Sequence, residues 1–146
     1  MDYKPTLNLP QTDFPMKAGL PQREPEQIKK WENEKTYQKM LDRRNGKPMF
    51  VLHDGPPYAN GNIHLGHTLN KVLKDTVIKY KNMAGFRTAF IPGWDCHGLP
   101  IEMGVEKNLR DKKIDKNSLS RVEVRNHCSE FADGWINKQR EQFKRL

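Results

Sequence analysis

Met49-Phe50-Val51-Leu52-His53-Asp54-Gly55-Pro56-Pro57-Tyr58-Ala59-Asn60-Gly61-Asn62-Ile63-His64-Leu65-Gly66-His67 runs from a short apolar strand into a Gly/Pro/Asn loop and ends on two histidines. Beyond it, apolar residues fall at Leu65, Leu69, Val72, Leu73, Val77, Tyr80 and Met83, the spacing of a helix. Gly85 supplies that helix with a C-terminal stop, and Arg87 to Ile91 reads as a second strand. Strand, helix and strand in this order make a βαβ unit, with parallel strands and a right-handed crossover. Ligands of such sheets bind at the carboxyl ends of the strands. Both the loop from His53 to His67 and the segment from Pro92 to Pro100 leave from those ends, so they are expected to face one another across one crevice.

The loop composition has a chemical use. A helix N-terminus offers unpaired N–H groups and a partial positive charge, which suit phosphate. His64 and His67, three residues apart, lie on one face of the first turn. Gly55 and Gly61 allow backbone to approach a ligand, Pro56 and Pro57 stiffen the path, and Tyr58 adds a ring and a hydroxyl. Gly66 inside the first turn costs helix stability, which makes sense where a flat group such as a purine packs on it. In the second segment, Pro92-Gly93-Trp94-Asp95-Cys96-His97-Gly98-Leu99-Pro100, Asp95 is the one acid. Buried near the crevice it would hold a cation such as a substrate ammonium group, with Trp94 walling an apolar pocket. A zinc site from His64, His67, Cys96 and His97 is conceivable by ligand type. The paired spacings of structural zinc are missing, so no metal ligand is assigned.

The rest of the chain frames these segments. It has 146 residues, enough for one domain with a core, and carries a net charge of +8 and a mean hydropathy of −0.93. The charge suits an anionic partner such as nucleotide or nucleic acid, although a lysine-rich surface alone would produce it. Cys96 and Cys128 are too few and too isolated for a disulfide scaffold, and no apolar run approaches a membrane span. A cytoplasmic protein without membrane contact is expected.

Residues 1–23, with Pro5, Pro10, Pro15 and Pro21, read as an extended arm anchored by Phe14 and Met16. Pro25 and Glu26 open a helix with Ile28, Trp31, Tyr37 and Met40 on its apolar side, ended by Asn45 and Gly46. Further helices run from about Ile101 to Arg110 and, after a capping box of Ser120 and Glu123, through Val124, Cys128, Phe131, Trp135 and Ile136. Trp31, Phe131 and Trp135 are expected to be packing residues, and the lysines at 71, 74, 79 and 81 a solvated helix face. The last helix reaches Leu146 still in pattern, as in a chain cut from a longer one.

At these residues the chain resembles the class I aminoacyl-tRNA synthetases. His64-Leu65-Gly66-His67 matches their first nucleotide-binding signature. Gly55-Pro56-Pro57-Tyr58-Ala59-Asn60-Gly61 and Gly93-Trp94-Asp95-Cys96-His97-Gly98-Leu99-Pro100-Ile101-Glu102 match the bacterial isoleucine branch rather than the valine or leucine branches. The arm, with Leu7-Asn8-Leu9-Pro10, Phe14-Pro15-Met16 and Arg23-Glu24-Pro25, is also similar to that branch.

The resemblance implies a helix-rich α/β fold, the first half of a Rossmann-like parallel-sheet catalytic domain. Residues 1–46 would be arm and helix, and residues 47–146 the truncated half-domain. It implies ATP-dependent activation of isoleucine and transfer to tRNA(Ile), with His64 and His67 catalytic and Gly55, His64, Gly66 and His67 binding ATP. Pro56 and Asp95 would bind the amino acid, and Tyr58, Asn60, Trp94, His97 and Gly98 would be further crevice residues. Mg2+ would accompany ATP, any zinc would lie elsewhere in a longer enzyme, and that enzyme would be a monomer. The family's second signature, Lys-Met-Ser-Lys-Ser, does not occur in this sequence. Two other readings remain: a small stand-alone nucleotidyltransferase with a His-x-Gly-His turn, and a non-catalytic nucleotide- or tRNA-binding module.

Overall fold

A computed structural model describes residues 2–8, 10–13 and 16–146. In chain order the elements are helices α1 (Leu20–Asn33) and α2 (Thr36–Arg43), strand β1 (Met49–Phe50), α3 (Leu65–Met83), β2 (Arg87–Thr88), α4 (Leu99–Asp111) and α5 (Arg121–Lys144). Short 3-10 turns occupy Lys4–Thr6 and Lys116–Ser118. β1 and β2 pair in parallel, Met49 with Arg87 and Phe50 with Thr88, with α3 as the crossover. The result is a helix-rich α/β architecture with a small parallel sheet.

The strands are shorter than expected, and β1 is not buried. Exposure alternates along Met49 to Leu52, with Met49 and Val51 open and Phe50 and Leu52 half-buried. Each strand has one neighbour, and among the described residues nothing covers the Met49 and Val51 side. The two chains that leave the strands meet again further on. Tyr58 and Asp95 form a parallel bridge, in which Ala59 N–H donates to the Asp95 carbonyl (2.9 Å) and Asp95 N–H to the Pro57 carbonyl (2.8 Å). The two loops are therefore joined along one edge rather than facing one another across a single crevice.

α3 starts at a histidine cap and ends where expected. Gly85, at φ 100°, takes the left-handed position that glycine occupies without strain. Its N–H donates to the Asn82 carbonyl and that of Phe86 to Lys81, so the last carbonyls are satisfied. The buried side of α3 differs from the expected one. Leu65, Leu69, Val72, Leu73, Val77, Tyr80 and Met83 are all exposed, while Ile78 and Asn82 are buried. Helical spacing identified the helix but not the side that other elements cover.

The core lies elsewhere. Ala59, Ile101 and Ala132 are buried together, and Trp94, Cys96, Cys128, Phe131, Trp135 and Ile136 pack against them. It is thus built from the two loops, α4 and α5. The expected capping box of α5 is present: Ser120 N–H donates to Glu123 Oε2 (2.7 Å) and Glu123 N–H to Ser120 Oγ (3.3 Å).

The N-terminal helices depart most from expectation. α1 begins at Leu20, so Pro25 lies inside it and not at its start. The single helix expected up to Asn45 is broken at Lys35, which sits at φ 52°. Trp31 is half exposed and is no core residue. Of the proposed arm anchors, Met16 is fully exposed, and Phe14 lies outside the described residues, as do Leu9 and Pro15. These helices are tied to the rest by Arg44 Nε donating to the Asn82 carbonyl (3.0 Å) and Phe90 N–H donating to the Tyr37 hydroxyl (3.1 Å). Exposed pairs of Glu24 with Arg145 and Glu32 with Lys144 add little.

Candidate functional site

The first turn of α3 is capped by its own histidines. His64, in extended conformation, is the N-cap. Its Nδ1 accepts from Gly66 N–H (3.1 Å), and His67 Nδ1 accepts from His64 N–H (3.2 Å). This is the logic of a capping box with imidazoles as the acceptors. The rings lie against each other with centroids 4.0 Å apart and planes tilted by 38°. An Nδ1 that accepts a hydrogen bond carries no proton, so each neutral ring holds its proton on Nε2 and keeps that N–H as a donor. Burial first, then the electrostatic influence of the neighbouring His64 and Lys71, pushes the His67 pKa below its ordinary value and favours the neutral ring.

Gly66 has a second reason to lack a side chain. A Cβ there would stand 3.0 Å from Cε1 and 3.1 Å from Nδ1 of His64. The glycine lets the His64 ring fold over the turn and reach the Gly66 N–H.

Behind the histidines lies an ion cluster that sequence reasoning missed. The Asp54 side chain, 3% exposed, accepts from both Lys71 Nζ and Lys74 Nζ. Burial pushes the Asp54 carboxyl up, but hydrogen bonds and charge from the two lysines outweigh it and hold the pKa below its ordinary value. Lys71 and Lys74 are half-buried, which corrects their assignment to a solvated face. A signal was present: residues 64, 67, 71 and 74 follow one helical stripe. Lys79, by contrast, is exposed and pairs with Asp75. Lys81 lies over the rings of Phe50 and Phe86.

Two concavities meet at Lys71. One, of about 320 Å³, is lined by Gly55, Pro57, His64, Gly66, His67, Asn70, Lys71 and Lys74. It gathers all four residues expected to bind ATP. The other, of about 530 Å³, lies between α3, the segment after β2 and α5, and includes Lys71, Phe90, Trp94, Arg140 and Phe143 in its wall. Both volumes fall in the range of small-ligand sites, roughly 300–1,000 Å³.

The remaining expected residues lie along the joined loops. Pro56 sits beside Gly93, where a Cβ would come within 3.9 Å of the proline. The Asp95 carboxylate is only partly buried; its Oδ1 accepts from His97 N–H (3.4 Å) and lies 3.7 Å from His97 Nδ1. Tyr58, Asn60, His97 and Gly98 are exposed, and Gly98 caps α4. Asp95 and Pro56 do not line the concavity at His64. Among the described residues, no group of three or more His, Cys, Asp or Glu is placed to hold a metal ion. Nor is any described helix long and apolar enough to cross a membrane.

Sequence reasoning also missed Gln139. Its Oε1 accepts from Trp94 Nε1 (2.9 Å), and its Nε2 donates to the carbonyls of Tyr58 (3.0 Å) and Gly61 (2.7 Å). It continues the buried stripe of Cys128, Ala132 and Trp135, and a polar residue on such a stripe was the available signal.

Residues 26–146 match the family model described as tRNA synthetases class I (I, L, M and V). The isoleucine–tRNA ligase of Sulfurihydrogenibium sp. is 58% identical over 146 residues, covering 100% of this chain and 16% of that protein. Those of Desulfitobacterium hafniense and Aquifex aeolicus are 59% and 58% identical, again over 100% of this chain and over 16% and 15% of their own lengths. The chain thus spans about a sixth of the length of these relatives. With a family match that runs from within α1 through α5 and takes in both loops, the chain belongs to the class I tRNA synthetases (I, L, M and V).

Proposed function

We propose that this chain is the N-terminal catalytic segment of an isoleucine–tRNA ligase, with residues 47–146 forming the first half of its catalytic domain. The observation that carries the reading is the histidine-capped turn of α3, set in a chain 58% identical along its whole length to isoleucine–tRNA ligases. In the first step an isoleucine carboxylate oxygen attacks the α-phosphorus of ATP. The bond from that phosphorus to the bridging oxygen breaks, and pyrophosphate leaves with the electron pair. In the second step a ribose hydroxyl of the tRNA 3′-terminal adenosine attacks the activated carbonyl, and AMP leaves.

The residues divide the work of the first step. The Nε2–H groups of His64 and His67 donate to phosphate oxygens as negative charge moves to the leaving group, a role that neutral imidazoles fill as fixed donors. Gly55 lets the loop backbone approach the nucleotide, and Gly66 keeps the turn low. Asp95 pairs with the amino-acid ammonium group, and Pro56 borders the side-chain pocket. Tyr58, Asn60, Trp94, His97 and Gly98 lie on the same joined loops as Pro56 and Asp95, on the amino-acid side. Mg2+ enters with ATP as part of the substrate, and no residue of this chain is assigned to it.

The test is isoleucine-dependent exchange of pyrophosphate into ATP by the full-length protein. His64→Ala and His67→Ala are each expected to slow exchange about a hundredfold or more. Exchange at the wild-type rate in either variant overturns the assigned roles.

A further inference from the structure

Gln139 is 1% exposed, and both ends of its carboxamide are occupied. An apolar side chain at this point of α5 would avoid the cost of burying an amide. What the glutamine adds is connection. Its Nε2 holds two carbonyls of the loop that leads to His64, at Tyr58 and Gly61, while its Oε1 holds Trp94, the neighbour of Asp95. One turn further along α5, Gln142 Oε1 accepts from Ile63 N–H (3.0 Å) and its Nε2 donates to Asn62 Oδ1 (2.8 Å). α5 therefore grips the approach to the histidine turn and the side chain before Asp95 through one amide.

We propose that Gln139 is a positioning residue that sets the phosphate-side turn of His64 and His67 in register with the ammonium-side carboxylate of Asp95. The inference rests on the function proposed above. An in-line attack needs nucleophile and phosphorus held within a fraction of an ångström, and a shift of about 1 Å costs on the order of a hundredfold. The backbone bridge between Tyr58 and Asp95 aligns the loops with each other. Gln139 ties that pair to α5 and extends the hold to Gly61, three residues before His64.

The experiment measures isoleucine-dependent pyrophosphate exchange by the full-length protein, with KM for ATP and for isoleucine determined separately. Gln139→Met keeps the length and removes all three bonds. The expected result is a KM for both substrates raised on the order of tenfold, with kcat per titrated active site also reduced. Of the three bonds of Gln139, Trp94→Phe removes the one to the ammonium side. It is expected to raise KM for isoleucine and leave KM for ATP unchanged. Added to Gln139→Met, it should raise KM for isoleucine no further, because the two residues act through one bond.

KM values within about twofold of wild type in Gln139→Met, or additive effects in the double variant, overturn the inference. A purely structural role would give fewer active molecules with unaltered KM. Should Gln139→Met fail to fold, Gln139→Asn, which keeps a carboxamide but ends one bond short, carries the same KM test. A wild-type protein with no isoleucine-dependent exchange overturns the proposed function itself, a result distinct from altered or unaltered KM values in the variants.

Discussion

The histidine cap makes the start of α3 sensitive to acid. His67 Nδ1 accepts from His64 N–H only while unprotonated, and the imidazolium form has no acceptor to offer. The pKa of His67 is lowered in the folded state, first by burial and then by His64 and Lys71, so the unfolded chain binds the proton more readily. The stability from the neutral ring is complete above the unfolded value of about 6.5 and is lost as pH falls from there through the folded value. His67→Gln supplies the alternative. A glutamine three residues after an N-cap accepts the same bond and does not titrate in this range. Chemical denaturation at pH 7.5 and at pH 5 should show wild type losing about 0.5–1 kcal/mol more than His67→Gln. Equal losses would show that the cap does not depend on the protonation of His67. This turn could be read from sequence because its bonds span two or three residues. Asp54 and its lysines lie 17 and 20 positions apart, and Gln139 reaches partners 78 and 81 positions away. Local pattern marks the stripes that carry these side chains but not the distant partners they reach.

Among the elements, the boundaries that chemistry marks locally were legible: the Ser120 cap of α5 and the Gly85 stop of α3. The break at Lys35 was not, because a lysine in left-handed conformation leaves no compositional mark. The contact of α4 with α5 illustrates the same limit. Gly104 and Gly134 both sit inside helices, and in sequence both read as helix-weakening positions. Their surroundings are opposite. A Cβ on Gly104 would press into the edge of the Phe131 ring, with Cε1 at 2.8 Å, whereas a Cβ on Gly134 meets nothing within 4 Å. Phe131 cannot turn away freely, since it packs on the core and meets Trp135 edge to face. Overpacking costs about 1–3 kcal/mol, more than the roughly 1 kcal/mol that alanine gains over glycine in a helix. Gly104→Ala should therefore lower the denaturation midpoint and Gly134→Ala raise it. A stabilised Gly104→Ala would mean that the two helices separate at little cost.

At the scale of the whole molecule, apolar spacing and burial part company. The βαβ order, the parallel pairing and the loops beyond the strand ends followed from sequence, since each rests on chain order and turn chemistry. The position of the core did not. Leu65, Leu69 and Leu73 carry the helical stripe of α3, yet they are 82%, 62% and 58% exposed, and Val51 and Ile91 of the strand segments are open as well. The filled core is instead the small cluster at Ile101, which is 0% exposed beneath the two loops. Periodicity reports that a side is apolar, while burial depends on which elements of the described chain reach it. The difference can be measured in this chain of 146 residues. Leu69→Lys replaces an exposed side chain and should shift unfolding free energy by no more than about 0.5 kcal/mol, because little apolar area leaves or enters water. Ile101→Ala removes methylenes from a closed site and should cost about 2–5 kcal/mol. The stripe should also promote association as the chain is concentrated, since a contiguous exposed apolar surface is unfavourable in water. Sedimentation velocity should then show Leu69→Lys with Leu73→Lys less associated than wild type at equal concentration. A cost at Leu69 comparable to that at Ile101 would mean that the α3 stripe is packed in solution, and the core would have to be placed there instead.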